Sequence, residues 1–181
     1  MLRMLQGKTM KYALKLKKKL HPAFKILFCL CVMSSLSSHA LAYKAPDFTL
    51  FDQAGNSITL KDYRGKGLII HFWGSWCPFC KELQPGLDVL YRKYKKSGLE
   101  VLAVSIGESP VADPQKALKA LGVSFKTAVK GDKVARIYNV AGTPASYFIN
   151  RVGEVVWVTN TGNAFHPKVE ATIRLILNLD Q

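Results

Sequence analysis

Two cysteines two residues apart, Cys77-Pro78-Phe79-Cys80, interrupt this chain where an apolar run gives way to a helical pattern. The run is Leu68-Ile69-Ile70-His71-Phe72-Trp73, and Gly74-Ser75-Trp76 joins it to the first cysteine. Thiols at this spacing close a disulfide within one helical turn, so the pair supports reversible two-electron chemistry with little backbone movement. A buried strand must therefore end at the cysteines and a helix must begin there. That junction constrains the fold more than any other feature of the sequence.

The cysteine count narrows the chemistry. Cys29 and Cys31 precede Ala40-Leu41-Ala42, in a segment with the marks of an export signal: basic residues up to Lys25, an apolar core from Ile26 to about Leu36, and small residues at the cleavage positions. Residues 1–42 are expected to be a signal peptide with Tyr43 as the mature start; an uncleaved anchor is the alternative, although the apolar core is shorter than the roughly 20 residues of a bilayer span. The mature chain, residues 43–181, then keeps only Cys77 and Cys80. A four-cysteine zinc site is excluded, and the spacing is too short to staple distant segments. The formal charge of +14 is misleading, because eight Lys/Arg and no acids lie in residues 1–42. Without them 18 basic residues face 12 acidic, a net of +6 that gives no reason to expect a nucleic-acid partner.

The rest reads as one domain. Pro46–Leu50 and Ser57–Leu60 flank Ala54-Gly55-Asn56 as an N-terminal β-hairpin. Leu68–Trp73 does not alternate and suits a strand buried on both faces. A helix runs from the cysteines to about Lys96, ended by Gly98, with Leu83, Leu87, Leu90, Tyr91 and Tyr94 on one face and a kink expected at Pro85. Val101–Ile106 is a second buried strand. Asp113-Pro114 opens a short helix that ends at Gly122. Thr127–Val129 is extended, and Asp132 opens another short helix through Tyr138. Ala145–Asn150 and Glu154–Val158 form a hairpin around Gly153. Pro167, preceded by His166 as a cap, begins a last helix buried through Val169, Ile173, Ile176 and Leu177. This order predicts an α/β fold: a mixed central sheet with helices on both faces and the N-terminal β-hairpin beside it.

Cys77 falls at the helix N-terminus, where free backbone N–H groups and the helix dipole favour a thiolate. It is expected to be the attacking thiol. Cys80, one turn inside, is expected to be less exposed and to resolve the mixed disulfide. Pro78 and Phe79 control how many N–H groups reach Cys77 and so tune its potential. Trp76 offers a flat docking surface beside it.

Strand, Trp-Cys-x-x-Cys, helix is the pattern of a thioredoxin-like redox site. Pro46-Asp47-Phe48, Phe72-Trp73-Gly74-Ser75-Trp76-Cys77, Val104-Ser105-Ile106-Gly107-Glu108-Ser109 and Gly142-Thr143-Pro144 extend the likeness. Over about residues 44–179 the chain resembles the TlpA/ResA-type branch of the thioredoxin superfamily, which includes the cytochrome c maturation reductases CcmG/DsbE. The resemblance implies a thioredoxin-like fold and an extracytoplasmic thiol–disulfide oxidoreductase. It carries Cys77 and Cys80 over as the redox pair and Pro144 as a cis proline facing them, with the backbone of Thr143 free to pair with an extended substrate. It places Glu108 near the active-site cavity. It puts His71 behind the resolving cysteine, where thioredoxins commonly have an acid; a histidine could take the Cys80 proton near neutral pH, or be a core residue hydrogen-bonded to backbone. It implies a disulfide-bearing client such as apocytochrome c or a copper-site assembly protein, a membrane thiol–disulfide reductase as electron donor, a monomer, and a location in the periplasm or at the outer face of the cytoplasmic membrane, with no cofactor or metal. The sequence departs from the pattern at Leu83, where ResA-like helices often carry an acid, and at His71, where ResA has an amide.

Rival functions differ in observable ways. A disulfide oxidase or isomerase would share the site and differ in redox poise. A peroxidase is disfavoured by Gly74, which stands where peroxidatic sites usually carry Thr. A Cu(I) chaperone would need His71 or His166 to join both thiolates.

Overall fold

The structure is a computed structural model, and it describes residues 42–180. The signal segment, its anchor alternative, Cys29 and Cys31 lie outside the described residues. Eight strands follow in order: β1 (Tyr43–Lys44), β2 (Thr49–Phe51), β3 (Ser57–Thr59), β4 (Gly67–Trp73), β5 (Leu99–Ser105), β6 (Lys126–Ala128), β7 (Ala145–Ile149) and β8 (Glu154–Thr159). Four α-helices join them: α1 (Pro78–Tyr94), α2 (Pro114–Ala120), α3 (Asp132–Ile137) and α4 (Pro167–Ile176). The main sheet has the order β1-β8-β7-β4-β5-β6, with β4, β5 and β6 parallel and β7, β8 and β1 antiparallel to their neighbours. This is the thioredoxin-like mixed sheet that the sequence predicts.

β4 is central because its sequence allows nothing else: all seven residues are buried. Ile69 and Trp73 pack with α1, α4 and the two cysteines on one face. Leu68, Ile70 and Phe72 pack on the other face with Val134, Ala135 and Tyr138 of the α3 region and with Phe48, Leu50 and Ile58 of the hairpin. A residue pattern with no polar face gives a strand that must be covered twice. The alternation puts His71 on the Ile69–Trp73 face, towards the cysteines.

The predicted hairpin forms, but as a separate two-stranded sheet. Besides packing on the face of the main sheet, it makes an isolated backbone bridge from Phe51 to Val129, just past β6. The edge strand β1 is absent from the sequence reading; Tyr43 and Lys44 pair with Val155 and Glu154. Local caps are as predicted. Asp113 accepts the Lys116 N–H at 2.9 Å, and His166 Nδ1 accepts the Lys168 N–H at 3.3 Å. Gly98, Gly122 and Gly153 adopt positive φ where a helix or hairpin must turn. α1 continues through Pro85 and ends in a 3-10 turn, Lys95–Ser97.

Candidate active site

β4 ends at Trp73, and Cys77, four residues later, is the N-cap of α1. The Cys77 sulfur accepts the Cys80 N–H at 3.2 Å. The two residues form a disulfide with Cα atoms 5.3 Å apart. A sulfur capping a helix sits where the first free N–H groups and the positive dipole end converge. In the dithiol form the same groups stabilise a thiolate. The expected contrast in exposure is small: Cys77 is 2% exposed and Cys80 0%. Pro78, Phe79 and Trp76 are exposed around them.

The loop before Cys77 is tied down at three points. The Cys77 N–H donates to Gly74 O at 3.0 Å. Glu108 accepts both the Ser75 N–H, at 2.7 Å, and the Ser75 hydroxyl, at 2.6 Å. The Trp76 indole N–H donates to Ile106 O at 3.2 Å. Glu108 thus holds Ser75, two residues before Cys77. Its loop is held in turn by Asp132, which accepts the Gly107 N–H at 2.9 Å. A Cβ at Gly74 would run into the Trp76 ring, so Gly74 is needed for the indole to fold back here.

The Thr143–Pro144 bond is cis. Antiparallel pairing of Phe72 with Ala145 brings Pro144 to the end of β4 that leads to Cys77. The Pro144 carbonyl accepts the Asn160 side-chain amide at 3.0 Å. Asn160 begins a loop whose Gly162 lies against Phe79 and whose Phe165 covers Gly86 of α1. Sequence reasoning missed Asn160, Phe165 and the clamp on Ser75, because each depends on a loop folding back across the site.

His71 is fully buried, and burial lowers its pKa from 6.5 to about 3. The imidazole is therefore neutral at physiological pH and does not store a proton near neutrality. Its Nδ1 lies 3.1 Å from the Ser146 hydroxyl, a side-chain partner rather than the backbone one considered from sequence. Its Nε2 is buried without a partner. His166 is exposed and engaged as a helix cap. Among the described residues no three His, Cys, Asp or Glu side chains come together as a metal-binding group.

Comparison with known proteins assigns the chain. The AhpC/TSA family model matches residues 41–158. The chain belongs to this family. Within it, the chain is 41% identical over 117 residues to thiol-disulfide oxidoreductase ResA of Geobacillus kaustophilus, spanning 64% of this chain and 67% of that protein. It is 37% identical over 133 residues to ResA of Bacillus subtilis, 73% of each. A Chlorobium tepidum crystal structure, described as a candidate thiol:disulfide interchange protein DsbE, superposes with a TM-score of 0.67 at 31% identity, covering 77% of this chain and 99% of that one. This AhpC/TSA-family member is a thiol–disulfide oxidoreductase of the ResA and DsbE type.

The Cys77–Cys80 disulfide at the N-terminus of α1 is an arrangement that can open to a dithiol and close again in thiol–disulfide exchange, with the helix terminus favouring negative charge on a Cys77 sulfur.

Proposed function

We propose that the protein works outside the cytoplasm as a reductase of client disulfides, with Cys77 as nucleophile and Cys80 as resolving thiol. The observation that carries the exchange chemistry is the Cys77–Cys80 disulfide at the N-cap of α1, and the reducing direction is supported by the likeness to ResA and DsbE-type proteins. Trp76, Pro78 and Phe79 form the exposed surface a client meets, and the Thr143–Pro144 segment offers its backbone to an extended client strand. Glu108 is a positioning residue acting through Ser75. Residues 1–42 direct export and are cut before Tyr43, or are kept as an anchor. Clients of the apocytochrome c or copper-site assembly type, a membrane thiol–disulfide reductase as donor, and a monomeric state complete the reading.

The test is the equilibrium reduction potential of the Cys77–Cys80 couple against glutathione or dithiothreitol buffers. A value near about −270 mV, the thioredoxin end, supports a reductase. A value near about −120 mV, the DsbA end, would make the protein an oxidant and end the cytochrome-assembly reading.

A further inference from the structure

Two phenylalanines stand in water on one side of the redox site: Phe79 is 62% exposed and Phe165 64%. A lone exposed apolar side chain is ordinary. These two are set in one row by the register of α1 against the chain leading into α4. Gly162 lies against Phe79, where a Cβ would be 3.9 Å from Phe79 Cβ. Phe165 lies on Gly86, where a Cβ would be 3.1 Å from its ring and 2.8 Å from Ala164 Cβ. Glu170 then meets Lys93 at 2.6 Å. Phe79, Gly86 and Lys93 are seven residues apart and so share one face of α1. The row begins beside Cys77 and is closed at its far end by the Lys93–Glu170 pair, with Glu82 and Val89 on its outer side. Phe165 is held in place: its N–H donates to Asn163 Oδ1 at 2.9 Å, the Asn163 N–H to Thr161 Oγ1 at 3.2 Å, and the Asn160 amide to Pro144 O at 3.0 Å. A glycine inside a helix is destabilising relative to alanine, and the bare position 86 is what lets Ala164 and Phe165 sit down on α1.

We propose that Phe165 is a specificity-determining residue: with Phe79 it seats an apolar side chain of the client polypeptide, close in sequence to the client's reacting cysteine. The surface is continuous with the place where exchange occurs. Cys77 is 2% exposed, so a client disulfide reaches its sulfur only across the rings that surround it. Trp76 stands on the other flank, its indole tied to Ile106 O at 3.2 Å. An aromatic ring already fixed in its place loses little freedom on binding, which is what a docking anchor requires. The spacing sets the client's pattern. Gly86, under Phe165, lies nine positions along α1 from Cys77. At about 1.5 Å per residue that is roughly 13 Å, which an extended chain covers in about four residues. The preferred client therefore carries a leucine-like side chain about four residues from its cysteine, and a polar one there gains nothing from Phe165.

This role rests on the client-reductase reading above, and the test keeps the two apart. The reduced full-length protein, in a Cys29→Ser, Cys31→Ser background, is mixed with disulfide-closed Cys-x-x-Cys peptides, and the opened peptide is measured by acid quenching and chromatography. The peptides are identical except for leucine or serine four residues before or after the cysteine pair. Glutathione disulfide, whose short arms do not reach Phe165, is the third probe. The wild type is expected to open a leucine peptide about fivefold faster than its serine twin on one of the two sides. Phe165→Ser should bring the leucine peptide down to the serine rate and leave glutathione disulfide within about twofold. Phe165→Leu should keep most of the preference. Leu175→Ser, which removes an exposed apolar side chain elsewhere on α4, should keep all of it. Equal wild-type rates for both twins on both sides overturn the role, as does a preference that survives in Phe165→Ser or an equal slowing of all probes by that change. A dimer that Phe165→Ser dissolves in analytical ultracentrifugation would give the surface to a second copy and overturn it too. A reduced protein that opens none of the probes, glutathione disulfide included, ends the client-reductase reading and this role with it.

Discussion

Acid should destabilise this protein through His71 in particular. In the unfolded chain an imidazole has a pKa of about 6.5. In the fold, burial lowers it to about 3. The unfolded state therefore binds the proton first as the pH falls. The stabilising contribution is complete above the unfolded value and is lost progressively as pH drops towards the folded one. Each unit below the unfolded value is worth about 1.4 kcal/mol, so by about pH 4 the loss is on the order of 3 kcal/mol. That is a large share of the roughly 5–15 kcal/mol of a typical domain. The assay is urea unfolding followed by tryptophan fluorescence across this range, for wild type and His71→Gln. Glutamine retains an amide facing Ser146 and does not titrate. Other acid-sensitive groups, such as Glu170, whose carboxyl is held low by Lys93 and Tyr94, are common to both proteins and cancel in the difference. The wild type should lose about 3 kcal/mol more than the variant between about pH 7 and pH 4. Parallel stability curves would refute the reasoning, as would a His71 ring resonance titrating near 6.5 in the folded protein.

Further consequences follow from other contacts. Glu108→Ala removes both acceptors of Ser75 and should slow the first attack by Cys77 about tenfold, the worth of one charge-assisted hydrogen bond, in stopped-flow disulfide exchange. Arg151 donates to the carbonyls of Gly65, Ser97 and Leu177 at 3.2, 2.9 and 3.3 Å; Arg151→Met should cost about 1–3 kcal/mol in denaturant titration without altering the reduction potential. A Cβ at Gly67 would lie 2.8 Å from Leu177 Cδ2 and 3.1 Å from Ile176 Cγ1, so Gly67→Ala should lower thermal stability by about 1–3 kcal/mol through overpacking against α4.

The features legible in the sequence are those whose causes lie close together along the chain. The Cys77 cap, the Asp113 and His166 caps, the glycine turns and the buried face of α1 each arise within one or two helical turns. The non-alternating run at Leu68–Trp73 could be read as a doubly covered strand because its own residues allow no polar face. The β1 edge was not legible, since two residues carry no periodicity and become a strand only where β8 offers a ladder. The burial of Gln84 is illegible for the same kind of reason: a single glutamine in an amphipathic helix gives no sign of facing inwards until the helix has docked.

The sequence alone determined that this chain ends a buried strand in a redox-capable pair of cysteines at a helix N-terminus. Tertiary structure decided how that pair is served. Glu108 reaches Ser75 across 33 positions, and His71 meets Ser146 across 75. Strand register and loop closure place those partners, and both are set by how the whole core packs. Burial likewise decided the state of His71. An imidazole's proton affinity depends on the water it has lost, and that loss is a property of the folded interior rather than of any neighbouring residue in the chain.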